Sequence, residues 1–106
     1  MKEDTGMARG AYDEVKLIER HIKMLRATKD AQPVGIKRLS EILNVTTSMV
    51  RYSLRMLEKD GVIVATPDGA VASDARYDSF MEEMDEHLAS LIDRIEEVRE
   101  QIPKST

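Results

Sequence analysis

The segment at residues 38–63, RLSEILNVTTSMVRYSLRMLEKDGVI, carries the strongest structural signal in the chain. It reads as a helix, a tight turn, a second helix and the start of a β-hairpin. A short helix is expected at residues 36–43, with Leu39, Ile42 and Leu43 facing inward. Asn44 tolerates the left-handed conformation that ends a helix, and Val45 then plugs the turn into the core. Thr46 fits as N-cap of the next helix, because its hydroxyl can accept an orphan backbone N–H. That helix should run over residues 47–60, with Gly61 as its stop. At ~100° per residue, Val50, Leu54 and Leu57 fall on one face. Ser48, Arg51, Tyr52, Arg55 and Lys59 fall on the opposite face, with Met49 and Met56 between the two.

Working outward, residues 62–66 are rich in β-formers. Pro67, Asp68 and Gly69 are turn residues, and residues 70–72 can return as a second strand. Upstream, Pro33 and Gly35 punctuate a linker at residues 29–35. Before it, Ala11, Val15, Ile18, Ile22 and Leu25 recur at helical spacing over residues 11–28, with Leu17 and Met24 as a second stripe. Arg20, Lys23 and Arg26 are expected on the wet side of that helix. Residues 1–10 lack periodicity and are expected to form a disordered N-terminus.

Downstream, Ser73 can cap a last helix over residues 74–102. Tyr77, Met81, Met84, Leu88, Leu91, Ile95, Val98 and Ile102 make an unbroken heptad seam along it. Such a helix is about 43 Å long at ~1.5 Å per residue. A domain this small cannot cover all of it, so the seam is expected to pair with a second copy of the chain. A parallel pair sets Arg94 against Arg99 of the other copy. An antiparallel pair centred near Ile92 sets Asp85 against Arg99, although Arg94 then meets its own symmetry mate. The antiparallel arrangement is the one expected. Pro103 ends the helix, leaving residues 103–106 as a tail.

At 106 residues the chain is about one domain long. Its net charge of −4 is unevenly distributed. Residues 1–35 carry +1, residues 36–76 carry +1, and residues 77–106, with 3 basic and 9 acidic side chains, carry −6. Acidity therefore sits in the tail, away from the outward cations of residues 47–60. With no Cys, disulfides and thiolate metal sites are excluded. No apolar run approaches the ~20 residues of a membrane span, and the N-terminus has no secretory pattern. A cytoplasmic location without membrane partners is expected.

A rigid helix presenting cations and hydrogen-bonding groups is what major-groove reading requires. Gly35-Ile36-Lys37-Arg38-Leu39-Ser40-Glu41, Val50-Arg51-Tyr52-Ser53-Leu54-Arg55, Leu57-Glu58-Lys59-Asp60-Gly61-Val62-Ile63 and Thr66-Pro67-Asp68-Gly69-Ala70 carry a resemblance. On those residues, the chain resembles the winged helix-turn-helix of prokaryotic transcriptional regulators. In particular it looks like short archaeal regulators with a C-terminal helical tail. The resemblance implies a mainly α fold with a small hairpin. The winged domain would lie at residues 11–73 and a coiled-coil dimerisation helix at residues 74–102. It further implies a sequence-specific regulator that binds double-stranded DNA as a homodimer.

Within that reading, Arg51, Tyr52, Arg55 and Ser48 are the candidates for base contact. Lys37, Arg38, Thr47 and Lys59 are the candidates for phosphate. One departure stands out. Related wings often carry Arg or Lys at the tip, whereas this tip is Pro67-Asp68-Gly69, which argues against a minor-groove contact. The competing reading is a protein–protein adaptor on the same fold, favoured by the weak local basicity and the acidic tip.

Other features point to ordinary roles. Met49, Met56, Met81 and Met84 read as packing, and His21 and His87 are isolated. No phosphate loop, nucleophile motif or HExxH is present, so neither an enzyme nor a cofactor or metal is expected. An effector, if there is one, is not identified by these residues.

Overall fold

The computed structural model describes residues 6–105. In chain order the elements are α1 (Gly6–Ala31), α2 (Ile36–Leu43), α3 (Thr47–Lys59), β1 (Ile63–Thr66), β2 (Gly69–Ala72) and α4 (Asp74–Glu100). The chain is mainly α with one antiparallel hairpin, and it divides into two compact units, Met1–Asp74 and Ala75–Thr106.

In the first unit α1, α2 and α3 pack on one another, and the hairpin packs on α1 and α3. Met24, Leu25, Leu39, Val50, Leu57 and Val62 are fully buried at the centre, joined by Leu54, Ile63, Ala70 and Ala72. The joints between helices are set by local chemistry. Asn44 ends α2 in the left-handed region at φ 53°. Ser40 then donates its hydroxyl hydrogen to the Val45 carbonyl. Thr46 accepts the Met49 N–H at 3.1 Å and starts α3. Gly61, at φ 73°, stops α3, and the Val62 N–H returns to the Leu57 carbonyl at 3.0 Å.

The hairpin pairs Ile63 with Ala72, Val64 with Val71, Ala65 with Ala70 and Thr66 with Gly69. Thr66 closes its turn: Oγ1 accepts the Asp68 N–H at 3.2 Å and donates to the Gly69 carbonyl at 2.7 Å. A single residue of the α1–α2 linker extends this sheet. Val34 exchanges both backbone hydrogen bonds with Ala70, at 3.1 and 2.8 Å, and Gln32 Oε1 accepts the Ala72 N–H. This anchor is not legible from residue spacing.

Four expectations are corrected. First, α1 starts at Gly6 rather than Ala11, because Ala8 and Arg9 favour helix and a single Gly10 costs only about 1 kcal/mol. Residues 1–5 of the expected disordered segment lie outside the described residues, as does Thr106 of the tail. Second, α1 runs on to Ala31, the last turn before the helix-averse position preceding Pro33. Third, at about 39 Å by ~1.5 Å per residue, α1 outreaches the elements behind it. Its expected stripe is therefore buried at Leu25, half-buried at Ile18 and Ile22, and exposed at Ala11 and Val15. Fourth, Ile42 is exposed, because it lies roughly a quarter turn from the Leu39–Leu43 row.

In the second unit, α4 ends at Glu100 rather than at Ile102, and tighter i→i+3 bonds from Gln101 and Ile102 finish it. Arg76 bridges to Ser79 and Glu83 along one side of α4, at 2.9 and 3.0 Å. Phe80, absent from the expected seam, is the buried side chain of this helix. Among the described residues no helix is long and apolar enough to cross a membrane.

Candidate nucleic-acid interface

The candidate surface is built on α2 and α3, which pack against each other. Val50, Leu54 and Leu57 bury the inner face of α3 and fix its rotation about its axis. Ser48, Arg51, Tyr52, Arg55 and Lys59 consequently emerge as exposed residues, as the helical spacing predicts. Lys37 and Arg38 on α2 flank them, and both are exposed. Thr47, in the first turn of α3, is exposed as well. Thr46 occupies one orphan N–H of that turn. The positive end of the α3 dipole lies beside Thr47 and Ser48, a favourable position for an anion.

The cations of this surface are set apart by being gathered on two adjoining helices without an ion pair; Arg9, Arg26, Arg99 and Lys104, also unpaired among the described residues, are scattered elsewhere. Several basic residues elsewhere are engaged. Lys23 pairs with Glu19 at 3.3 Å, Arg76 with Glu83 at 3.0 Å and Arg94 with Glu97 at 3.6 Å. Lys16 lies over the Tyr12 ring at 5.7 Å. Among the described residues, Lys37, Arg38, Arg51, Arg55 and Lys59 form no ion pair. Five unneutralised cations on two adjoining helices make a surface whose natural counter-ion is a polyanion.

Tyr52 is less free than the spacing implies. It is 40 % exposed, and its ring lies 5.9 Å from that of His21 on α1, tilted by 33°. Behind it is a polar junction that helical spacing does not reveal. Ser53 is fully buried on α3. Its Oγ accepts the Arg20 Nε–H at 3.1 Å and lies 2.9 Å from His21 Nδ1. Arg20, expected in solvent, turns inward because the buried Ser53 oxygen needs a donor. Burial holds the His21 imidazole below its ordinary value of 6.5; the Arg20 charge pushes the same way and Asp60 opposes. Only the adjacency of Arg20 and His21 on a helix facing a small polar residue could have signalled this junction.

The expected dimer seam on α4 divides into two parts. Tyr77, Met81, Met84, Leu88 and Leu91 are half-buried, whereas Ile95, Val98 and Ile102 are more than half exposed, as is Ile92 beside them. No group of acidic or histidine side chains among the described residues is arranged to hold a metal ion.

Residues 18–64, from the middle of α1 into β1, match the family model described as winged helix-turn-helix DNA-binding. The match takes in the whole of α2, the turn and α3. No curated protein matches the chain.

Proposed function

The chain carries a winged helix-turn-helix DNA-binding domain, and from that premise we propose that it is a sequence-specific transcriptional regulator acting as a homodimer. In this reading α3 enters the major groove. Arg51 and Arg55 contact base edges, the guanidinium fork suiting guanine, while Tyr52 and Ser48 contact neighbouring bases. Lys37, Arg38, Thr47 and Lys59 hold phosphates on either side. The carrying observation is the set of five cations on α2 and α3 that form no ion pair among the described residues.

The partner copy is proposed to dock along α4 (residues 74–102 with its finishing turn), the winged domain proper being residues 11–73. The support is the apolar end of the seam: Ile92, Ile95, Val98 and Ile102 form a continuous exposed row of β-branched residues. Two copies would present two recognition helices to half-sites about one turn of DNA (~34 Å) apart, or a multiple of it.

Selecting bound fragments from random duplexes tests the proposal. The expected result is a two-fold symmetric site, with retention that falls steeply as salt rises. Retention without a salt slope would point instead to a protein partner.

A further inference from the structure

The Arg20–Ser53–His21 junction adjoins Tyr52, whose ring lies 5.9 Å from that of His21. Ser53 Oγ receives the Arg20 N–H, so the hydroxyl has one hydrogen left to give. Its other partner is His21 Nδ1, at 2.9 Å. That hydrogen can go to Nδ1 when the imidazole carries its own hydrogen on Nε2.

We infer that His21 is a positioning residue for DNA reading, and that its ring, accepting from Ser53 when neutral, acts as a latch on Tyr52 that acid closes. This rests on the DNA-binding reading above. When Nδ1 gains a proton it can no longer accept from Ser53, whose hydrogen must turn away beside the Arg20 charge. The new imidazolium lies against the Tyr52 ring, whose face attracts a cation within ~6 Å. Both changes act on adjacent residues of α3. One loosens Ser53, and the other draws Tyr52 towards α1 and away from the outward face. The charged groups facing His21 are Arg20 from its own helix and Asp60 from the end of α3, and they oppose each other. Base selection, to which Tyr52 contributes, should therefore weaken in acid. Phosphate attraction, which depends on net positive charge, should not.

The test uses the full chain and three variants. His21→Asn keeps an acceptor near the Nδ1 position but cannot titrate, Ser53→Ala removes the tie, and His87→Asn controls for the other histidine. Tyr52 ring resonances are followed from about pH 8 downwards, through the midpoint of the His21 ring signals. Binding to a duplex recovered by selection is compared with binding to mixed genomic DNA over the same range. The latch predicts that Tyr52 signals move with the His21 midpoint in the parent and stay fixed in His21→Asn. It also predicts a fall in selectivity of roughly threefold to tenfold in acid, the scale of one net hydrogen bond. His21→Asn should lose the acid effect whatever its selectivity at neutral pH, His87→Asn should behave as the parent, and Ser53→Ala should be less selective throughout. Tyr52 signals that ignore the His21 titration, or an acid effect that persists in His21→Asn, would overturn the latch. Salt-dependent DNA retention with pH-independent selectivity overturns the latch alone. Absence of DNA retention at any pH overturns the functional reading and the latch as a DNA device together.

Discussion

Gly69 lies against the backbone of Val34 so closely that a β-carbon on it would come within 2.7 Å of the Val34 nitrogen and 2.8 Å of its carbonyl. Its φ of 133° also lies where side-chain-bearing residues are strained. One glycine thus serves the hairpin turn and the bridge that ties the hairpin to the α1–α2 linker. Gly69→Ala should destabilise the fold by roughly 1–3 kcal/mol, the scale of a forced backbone conformation. Denaturant midpoints would read this directly. An unchanged midpoint would mean that the Val34–Ala70 bridge contributes little.

The buried His21 also makes stability depend on pH. The unfolded chain takes up its proton near the ordinary value of 6.5, while the folded chain, with its lowered value, resists. The unfolded state therefore binds more protons in acid, and stability falls as pH drops. The His21 contribution should be fully present above about 6.5 and be lost as pH falls from there through the lowered folded value. Urea unfolding over a pH series should show His21→Asn with a shallower acid slope than the parent in that window. Parallel slopes would place the acid sensitivity in other groups.

The phosphate candidates make a different prediction from the base candidates. Lys59→Ala or Lys37→Ala should weaken binding to selected and unselected duplexes alike. Each should reduce the slope of log affinity against log salt by about 1, because one phosphate is no longer neutralised. A change confined to the selected duplex would move that residue to the base-reading set.

Pairing along α4 is testable through charge. Asp85 opposite Arg99 of the second copy is the attraction in the antiparallel register. Asp85→Arg should therefore lower the dimer fraction in sedimentation, and Asp85→Arg with Arg99→Asp should restore it. A double variant no better than the single would exclude that register.

What is legible in the residues and what is not follow one physical division. The turn between α2 and α3 and the end of α3 are legible because Asn44, Thr46 and Gly61 act on backbone within a few residues of themselves. The outward face of α3 is legible because Val50, Leu54 and Leu57 fix its rotation by helical period alone. Partners distant in sequence are not. Arg20 reads as a solvent residue until Ser53, 33 positions away, is seen to need its donor. Val34 reads as linker because a single bridging residue has no period, and Phe80 escapes because it lies off the heptad positions. The overhang of α1 is hidden too: spacing shows that Val15 belongs to a stripe, but not where the covering elements end.

The most direct test of the central claim, that the outward face of α3 reads DNA, is the affinity of Arg55→Ala for a selected duplex and for mixed genomic DNA at one fixed salt concentration. Base reading by Arg55 predicts a loss of roughly 1–3 kcal/mol on the selected duplex, relaxed preference at one base position, and a smaller loss on genomic DNA. An Arg55→Ala protein that folds normally and keeps both affinity and selectivity would contradict it.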